Sequence, residues 1–413
     1  MNNDLFLMHA LVQKNISLDK KRFLYDKINW DARAICIAGA RGTGKTTLML
    51  QYALEAYNDP SRCLYISGDY IQVISLGLFE IAKNFFAYGG ECLIVDEVHK
   101  YPNWSQEIKN IYDVYTDKKI FISGSSTLDL TKARFDLSRR FVYHHLPPLS
   151  FREYLYFTDS VDIHPFTLEE IINNHTSLAI DLLNKGSMLK QFADYVRYGC
   201  YPYFFENRSD YNSKLMGAVE KVLFEDITIV YNIAHPKIPV LKKILWMIAT
   251  SSPFIPNING MARDLGVSRP AVYNYLDILE NAALLRFVRE SVKGAKIARK
   301  TGKLFFENSN ILHAVAGNIQ GEAEQGTLRE TFFASQLSQT HKISLHQKAD
   351  FIVDDTFVFE VGGSSKKEKQ IAGLENAYLA VDGVEIGKNR KIPLYLFGFL
   401  YFDYLFEEAY HQL

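Results

Sequence analysis

Residues 39–46 read Gly-Ala-Arg-Gly-Thr-Gly-Lys-Thr, a complete G-x-x-x-x-G-K-[ST] stretch. These residue types at this spacing are suited to gripping a polyphosphate. Gly39, Gly42 and Gly44 let the backbone wrap closely, so that the N–H groups of Ala40, Arg41, Thr43 and their neighbours face phosphate oxygens. Lys45 would reach the β- and γ-phosphates, and the Thr46 hydroxyl would hold Mg²⁺ ahead of Thr47. A second constellation is Leu93-Ile94-Val95-Asp96-Glu97, an apolar run closing on two carboxylates. Asp96 is expected to hold Mg²⁺, directly or through water. Glu97 is placed to orient and deprotonate an attacking water, a role worth roughly 10²–10⁴ in rate. Ser123, at the end of another apolar run, is the candidate sensor of the γ-phosphate. Asp69 and His99 stand at similar strand ends, as approaches to the catalytic water or as ordinary loop caps. Arg134, Arg139 and Arg140 follow, and an arginine beside the γ-phosphate contributes roughly 10³–10⁵ in rate.

These groups must be positioned by a sheet. Strands are expected at 34–38, 63–67, 91–96, 119–123 and 141–145, alternating with helical stretches. That alternation predicts a parallel α/β sheet covered by helices, with the chemistry outside the strand C-termini. Residues 151 to about 235 read as helical, a lid over the nucleotide. Residues 258–279 read as two helices joined at Gly266, with Ser268 as N-cap and Pro270 in the first turn. Arg269, Tyr273 and Asn274 are expected on the exposed face of the second helix. Between Arg286 and Lys303 lie Arg289, Lys293, Lys296, Arg299 and Lys300 as well, against Glu290 alone. A helix-turn-helix with such a basic wing argues for phosphate contacts to double-stranded DNA, or for a packing module.

Bulk composition sets the frame. The 413 residues exceed one ordinary core and predict two to four domains. Formal net charge is −1, so any nucleic-acid footprint is local rather than global. Cys36, Cys63, Cys92 and Cys200 show no metal spacing and read as buried free thiols of a reducing compartment. With no signal-peptide pattern and no long apolar span, a cytoplasmic protein without a membrane segment is expected.

The block Leu137-Ser138-Arg139-Arg140-Phe141, followed by Leu146-Pro147-Pro148-Leu149-Ser150-Phe151-Arg152-Glu153-Tyr154-Leu155, together with the two nucleotide motifs, resembles a large family of prokaryotic AAA+-type P-loop ATPases. Members share a Gly-Arg dipeptide, a Pro-Leu-Ser-Phe-x-Glu-Tyr/Phe segment and a C-terminal region related to PD-(D/E)XK nucleases. The resemblance spans nearly the whole chain. It implies a P-loop NTPase of AAA+/ASCE type in residues 1–150, a helical lid or linker in 151–235, a winged helix in 236–300 and an α/β nuclease-like domain in 301–413. By similarity Arg140 is the family arginine, with Arg139 standing where Gly is usual, and it would serve its own subunit or a neighbour in a homo-oligomer. In the last region Asp350 and Glu360 would share a divalent ion, with Glu330 as third ligand. Active nucleases of that superfamily carry a Lys two residues after the Glu. Gly362 stands there instead, with Lys366, Lys367, Lys369 and Gln370 nearby, so a retained fold without cleavage is expected. The leading expectation is an ATPase using ATP and Mg²⁺, coupled to DNA or a protein partner. The alternatives are a nucleotide-gated switch with little turnover and a metal-dependent nuclease.

Overall fold

The computed structural model describes residues 3–124, 137, 139–159, 161–205, 207–251, 255–290 and 302–400. The chain divides into two units, Met1–Pro148 and Leu149–Leu413.

The first unit is built on five parallel strands: β1 (Ala34–Ala38), β2 (Cys63–Ser67), β3 (Cys92–Asp96), β4 (Lys119–Gly124) and β5 (Val142–His145). Their order is β2-β3-β4-β1-β5, every pairing parallel. The helices are α1 (Asn3–Gln13), α2 (Lys45–Ala56), α3 (Ile71–Leu76), α4 (Leu78–Ala87) and α5 (Trp104–Val114). Successive strand residues point to opposite faces, and both faces are covered. Cys36, Ile66, Leu93, Val95 and Ile122 meet Leu78, Phe85, Trp104 and Ile108 of α4 and α5 on one side. Ile35, Ile37, Tyr65, Ile94 and Phe121 meet Leu48, Met49 and Tyr52 of α2 on the other. Each such aliphatic side chain contributes about 1.5–3 kcal/mol by leaving water. This two-sided demand explains why the strands read as unbroken apolar runs.

The second unit begins helically, with Phe151–Asp159, Leu168–Leu183, Met188–Tyr198 and Tyr211–Lys221, the last running into a π turn at Val222–Asp226. A thoroughly satisfied polar group holds part of this region. Asn310 Oδ1 accepts from Cys200 N at 2.8 Å and from Tyr211 OH, while Asn310 Nδ2 donates to the Tyr195 and Val196 carbonyls. Helices Ile258–Leu265 and Arg269–Asn281 follow, joined through Gly266 at φ +66°, and then the antiparallel pair β6 (Leu285–Val288) and β7 (Lys303–Phe306). β6 precedes and β7 follows the boundary expected between residues 300 and 301. Helices Ser309–Asn318 and Gln325–Leu337 lead to a mixed sheet of β8 (Ile343–Leu345), β9 (Phe351–Val353), β10 (Phe357–Gly363), β11 (Ala377–Asp382) and β12 (Lys391–Pro393), paired in the order β12-β11-β10-β9-β8. The four cysteines are free and buried. Among the described residues, no helix is long and apolar enough to cross a membrane.

Candidate functional site

The loop from Gly39 to Thr46 leaves the C-terminal end of β1 and enters α2 at Lys45. Gly42 and Gly44 adopt φ of +84° and +97°, a region that favours glycine. Gly39 is needed for another reason. A Cβ there would overlap the Leu146 carbonyl, because β5 runs beside β1. The loop is closed on itself: Lys45 Nζ donates to the Gly39 and Ala40 carbonyls at 3.0 and 2.9 Å, and Thr43 Oγ1 donates to Ala40 at 3.0 Å. The ammonium therefore already sits in the concavity that a polyphosphate would fill.

Asp96 ends β3 at the centre of a ring of neutral donors. Thr46 Oγ1 donates to its Oδ2 at 2.5 Å, and Tyr65 OH donates to the same oxygen at 2.9 Å. Ser123 Oγ and the Glu97 N–H, the latter at 2.9 Å, donate to Oδ1. Burial, reinforced by the Asp96 carboxylate, pushes the Tyr65 phenol far up, so it stays a protonated donor. The hydroxyl of Thr46 and the carboxylate of Asp96 are hard oxygen donors held within one bond's reach of each other, and that set fits Mg²⁺.

Glu97 turns at φ +46°, a conformation unusual outside glycine, which swings its side chain off the strand line. Gly68 makes the turn possible: a Cβ there would lie 2.7 Å from the Glu97 carbonyl, and its N–H donates to the Asp96 carbonyl at 2.8 Å. The Glu97 carboxylate lies 3.6 Å from an Arg41 nitrogen and 3.5 Å from His99 Nε2. Asp69 is drawn elsewhere. Burial opposes its ionisation, but the Ser67 hydroxyl at 2.6 Å and Lys100 at 3.3 Å outweigh it and hold the carboxyl below its usual range.

Lys45, Thr46, Asp96, Glu97 and Ser123 are thus brought to one edge of the sheet. Arg140 is not. It precedes β5, whose Val142 pairs with Ile35 near the start of β1, whereas the loop leaves the far end of that strand. At about 3.3 Å per residue, the two are separated by the length of β1. Arg140 instead grips Asp113 of α5 through Nε at 2.8 Å and Nη2 at 3.0 Å. Within one chain this register keeps Arg140 away from the loop end of β1. Arg134 lies outside the described residues.

In the second unit the acidic residues have partners of another kind. Lys303 Nζ donates to Glu330, and Lys366 Nζ donates to Glu360 Oε1 at 2.5 Å. The Val361 N–H donates to Asp350 Oδ2 at 2.8 Å. Among the described residues, no group of three or more His, Cys, Asp or Glu side chains is placed to hold a metal. Two of the three carboxylates expected as ligands, Glu330 and Glu360, face ammonium groups. Burial pushes the Glu330 carboxyl up to about 7, with the Asp350 charge adding to it and Lys303 opposing. Burial likewise raises Asp350, helped by Glu360. Lys366 does stand in spatially for a lysine at position 362, since its aliphatic stem lies across Gly362 where a Cβ would be.

Arg269, Tyr273 and Asn274 are exposed on the helix Arg269–Asn281, as expected. The basic stretch is weaker than its composition implied. Arg286 pairs with Glu307, Arg289 with Glu280 at 3.0 Å and Lys303 with Glu330. Lys293, Lys296, Arg299 and Lys300 lie outside the described residues.

Two functional neighbours escaped the sequence reading. Tyr65 occupies an interior strand position that reads as plain core. Arg22, 5% exposed, donates to the Thr43 carbonyl of the loop at 2.5 Å. Neither belongs to a motif.

Residues 31–155 match the family model of an AAA domain, and residues 189–322 that of a domain of unknown function. An uncharacterized protein of Methanocaldococcus jannaschii is 27% identical over 94% of this chain and 91% of its own length. Among solved structures, the Walker-type ATPase of Pyrococcus abyssi superposes with a TM-score of 0.39 at 11% identity, covering 70% of this chain and 93% of that one. The Orc1 protein of Aeropyrum pernix in complex with DNA gives 0.32 at 13% identity, covering 72% and 89%. The parallel sheet and the phosphate loop give the first unit a P-loop NTPase fold, and residues 31–155 match an AAA domain.

Proposed function

We propose that the protein binds ATP with Mg²⁺ in the first unit, hydrolyses it, and couples that cycle to DNA or to a protein partner through the second. The single observation that carries the reading is the convergence of Lys45, Thr46, Asp96 and Glu97 on one sheet edge, with Asp96 held only by neutral donors in the contacts above. The loop amides and Lys45 would grip the β- and γ-phosphates. Thr46 and Asp96 would hold Mg²⁺, which lowers the charge repulsion met by an incoming nucleophile. Glu97 would orient a water in line with the γ-phosphate and take its proton. Ser123, bonded to Asp96, is suited to report the state of the metal side of the site. Any contribution of Arg140 goes to a neighbouring copy of the chain, which would make turnover depend on protein concentration.

In the second unit, the helices Ile258–Leu265 and Arg269–Asn281 with the β6–β7 pair support a winged helix, and the mixed sheet β8–β12 with its flanking helices supports a nuclease-like domain. The exposed Arg269, Tyr273 and Asn274 are the proposed contacts to duplex DNA. Cleavage is not part of the proposal, because Glu330 and Glu360 are already paired with lysines.

A second reading, a nucleotide-gated switch with little turnover, is favoured by one observation. The Glu97 carboxylate lies 3.6 Å from Arg41 and 3.5 Å from His99, side chains that compete with an attacking water for it. Steady-state phosphate release by the full chain, with and without duplex DNA, separates the two. Turnover well above 1 per minute that changes with DNA supports the coupled ATPase. ATP binding with negligible release supports the switch, and absence of ATP binding ends both.

A further inference from the structure

Arg22 lies outside the stretch matched to the AAA domain and far from every motif in the chain. Its guanidinium spans two segments. Nη1 donates to the Thr43 carbonyl at 2.5 Å, and Nη2 donates to the Pro147 carbonyl at 2.8 Å. Thr43 is the fifth residue of the phosphate loop, and Pro147 follows β5 by two residues. The two segments run side by side, since the Leu146 N–H donates to the Ala38 carbonyl at 2.7 Å. The segment that carries Arg22 is itself fastened to α2. Gln51 Nε2 donates to the Ser17 and Lys20 carbonyls at 2.8 and 2.9 Å, and Glu55 accepts from Lys21 and from Tyr25 OH, each at 2.5 Å.

Peptide geometry gives this fork a consequence. The Thr43 carbonyl and the Gly44 N–H belong to one planar trans peptide, so they point in opposite directions. Drawing the carbonyl back onto buried Arg22 turns the Gly44 N–H away from it, toward the concave side of the loop. Gly44, at φ +97°, accepts the orientation without strain. Lys45 Nζ bonds the Gly39 and Ala40 carbonyls from within the concavity, while Arg22 holds the loop from behind.

We infer that Arg22 is a positioning residue of the phosphate site: it fixes the Thr43–Gly44 peptide with its N–H facing the polyphosphate of a nucleoside triphosphate, and it ties the loop to the segment after β5. This rests on the ATP reading above. A flat, two-pronged donor suits two carbonyls on different segments, where a lysine ammonium serves as a single point.

The test uses the full chain with Arg22→Met and Arg22→Lys. Wild type is titrated with Mg-ATP first; failure to bind sinks the ATP reading itself, and the inference with it. With that binding in hand, Arg22→Met is expected to raise the KM for ATP and the Kd for ADP about tenfold or more, the size of one lost charge-assisted bond, with kcat within about threefold. The affinity of Arg22→Met for AMP should stay at the wild-type value. If Arg22→Met does not fold, Arg22→Lys decides, with an expected KM rise of roughly threefold to tenfold at unchanged kcat. A wild-type KM in either folded variant overturns the inference. So does an equal loss of affinity for AMP and ATP, which is what general destabilisation of the unit would produce.

Discussion

Two clusters of carboxylates in the protein have partners that differ in kind. Asp96 accepts from Thr46, Ser123 and Tyr65 hydroxyls and from one backbone N–H, all neutral. Glu330 and Glu360 each accept from an ammonium group, Lys303 and Lys366. Neutral donors orient a carboxylate while leaving its negative charge to attract a cation. A lysine at contact distance cancels that charge, and a metal ion would have to displace it. The number of acidic residues does not tell a cation site from a charge-balanced core; the charge of their nearest donors does.

The largest effect expected from this contrast is at Lys45. Lys45→Ala removes the one ammonium group inside the loop, and calorimetric titration should show ATP binding weakened at least about a hundredfold, near two lost charge-assisted bonds. Next comes Glu97→Gln, which keeps the shape but loses the base. ATP affinity should hold within a few-fold while kcat falls by about 10²–10⁴. A kcat equal to wild type would remove Glu97 from the mechanism and leave Asp96 as a metal holder without a base.

The second cluster is tested through its lysine. Lys366→Met leaves Glu360 without its ammonium partner, and urea unfolding should show a loss of about 1–3 kcal/mol. Plasmid DNA incubated with Mg²⁺ or Mn²⁺ should stay intact with wild type, as with the Asp350→Ala control. If Lys366→Met instead keeps full stability and gains Mn²⁺ affinity, the two clusters are alike after all and the contrast drawn above fails.

What could be read in advance follows the range of the forces involved. Strands β1 and β2 fall at 34–38 and 63–67 as expected, because burial on both faces writes itself into an apolar run. The phosphate loop was legible because its glycines answer a local backbone demand. Arg22, Tyr65 and Lys303 were not, because each acts through a contact between residues distant in sequence: Arg22 and Thr43, Tyr65 and Asp96, Lys303 and Glu330. No periodicity encodes such pairs. The same limit hides the β1–β5 register, which sets Arg140 at the opposite end of the strand from the phosphate loop. In the basic stretch after residue 285, the pairing of Arg286, Arg289 and Lys303 with Glu307, Glu280 and Glu330 was hidden for a related reason.

The smallest expected effect is a pH dependence at Glu330, and it sharpens the contrast on the second cluster alone. Burial raises its carboxyl from an ordinary 4.5 to about 7, with Asp350 adding repulsion and Lys303 only partly offsetting them. A folded-state value above the unfolded one means that the folded protein binds the extra proton. The associated stability is fully present below about pH 4.5 and is lost as pH rises through about 7. Glu330→Gln mimics the protonated form at every pH. Its stability relative to wild type should therefore climb between pH 5 and pH 8, by on the order of 2 kcal/mol. Thermal or urea unfolding of the pair at the two pH values reads this difference directly, with other titrating groups cancelling between the two proteins. A difference that does not change with pH would mean that Lys303 holds Glu330 ionised throughout. A difference that shrinks toward pH 8 would mean that the ion pair outweighs burial, and that the second cluster is held together by charge attraction rather than in spite of its cost.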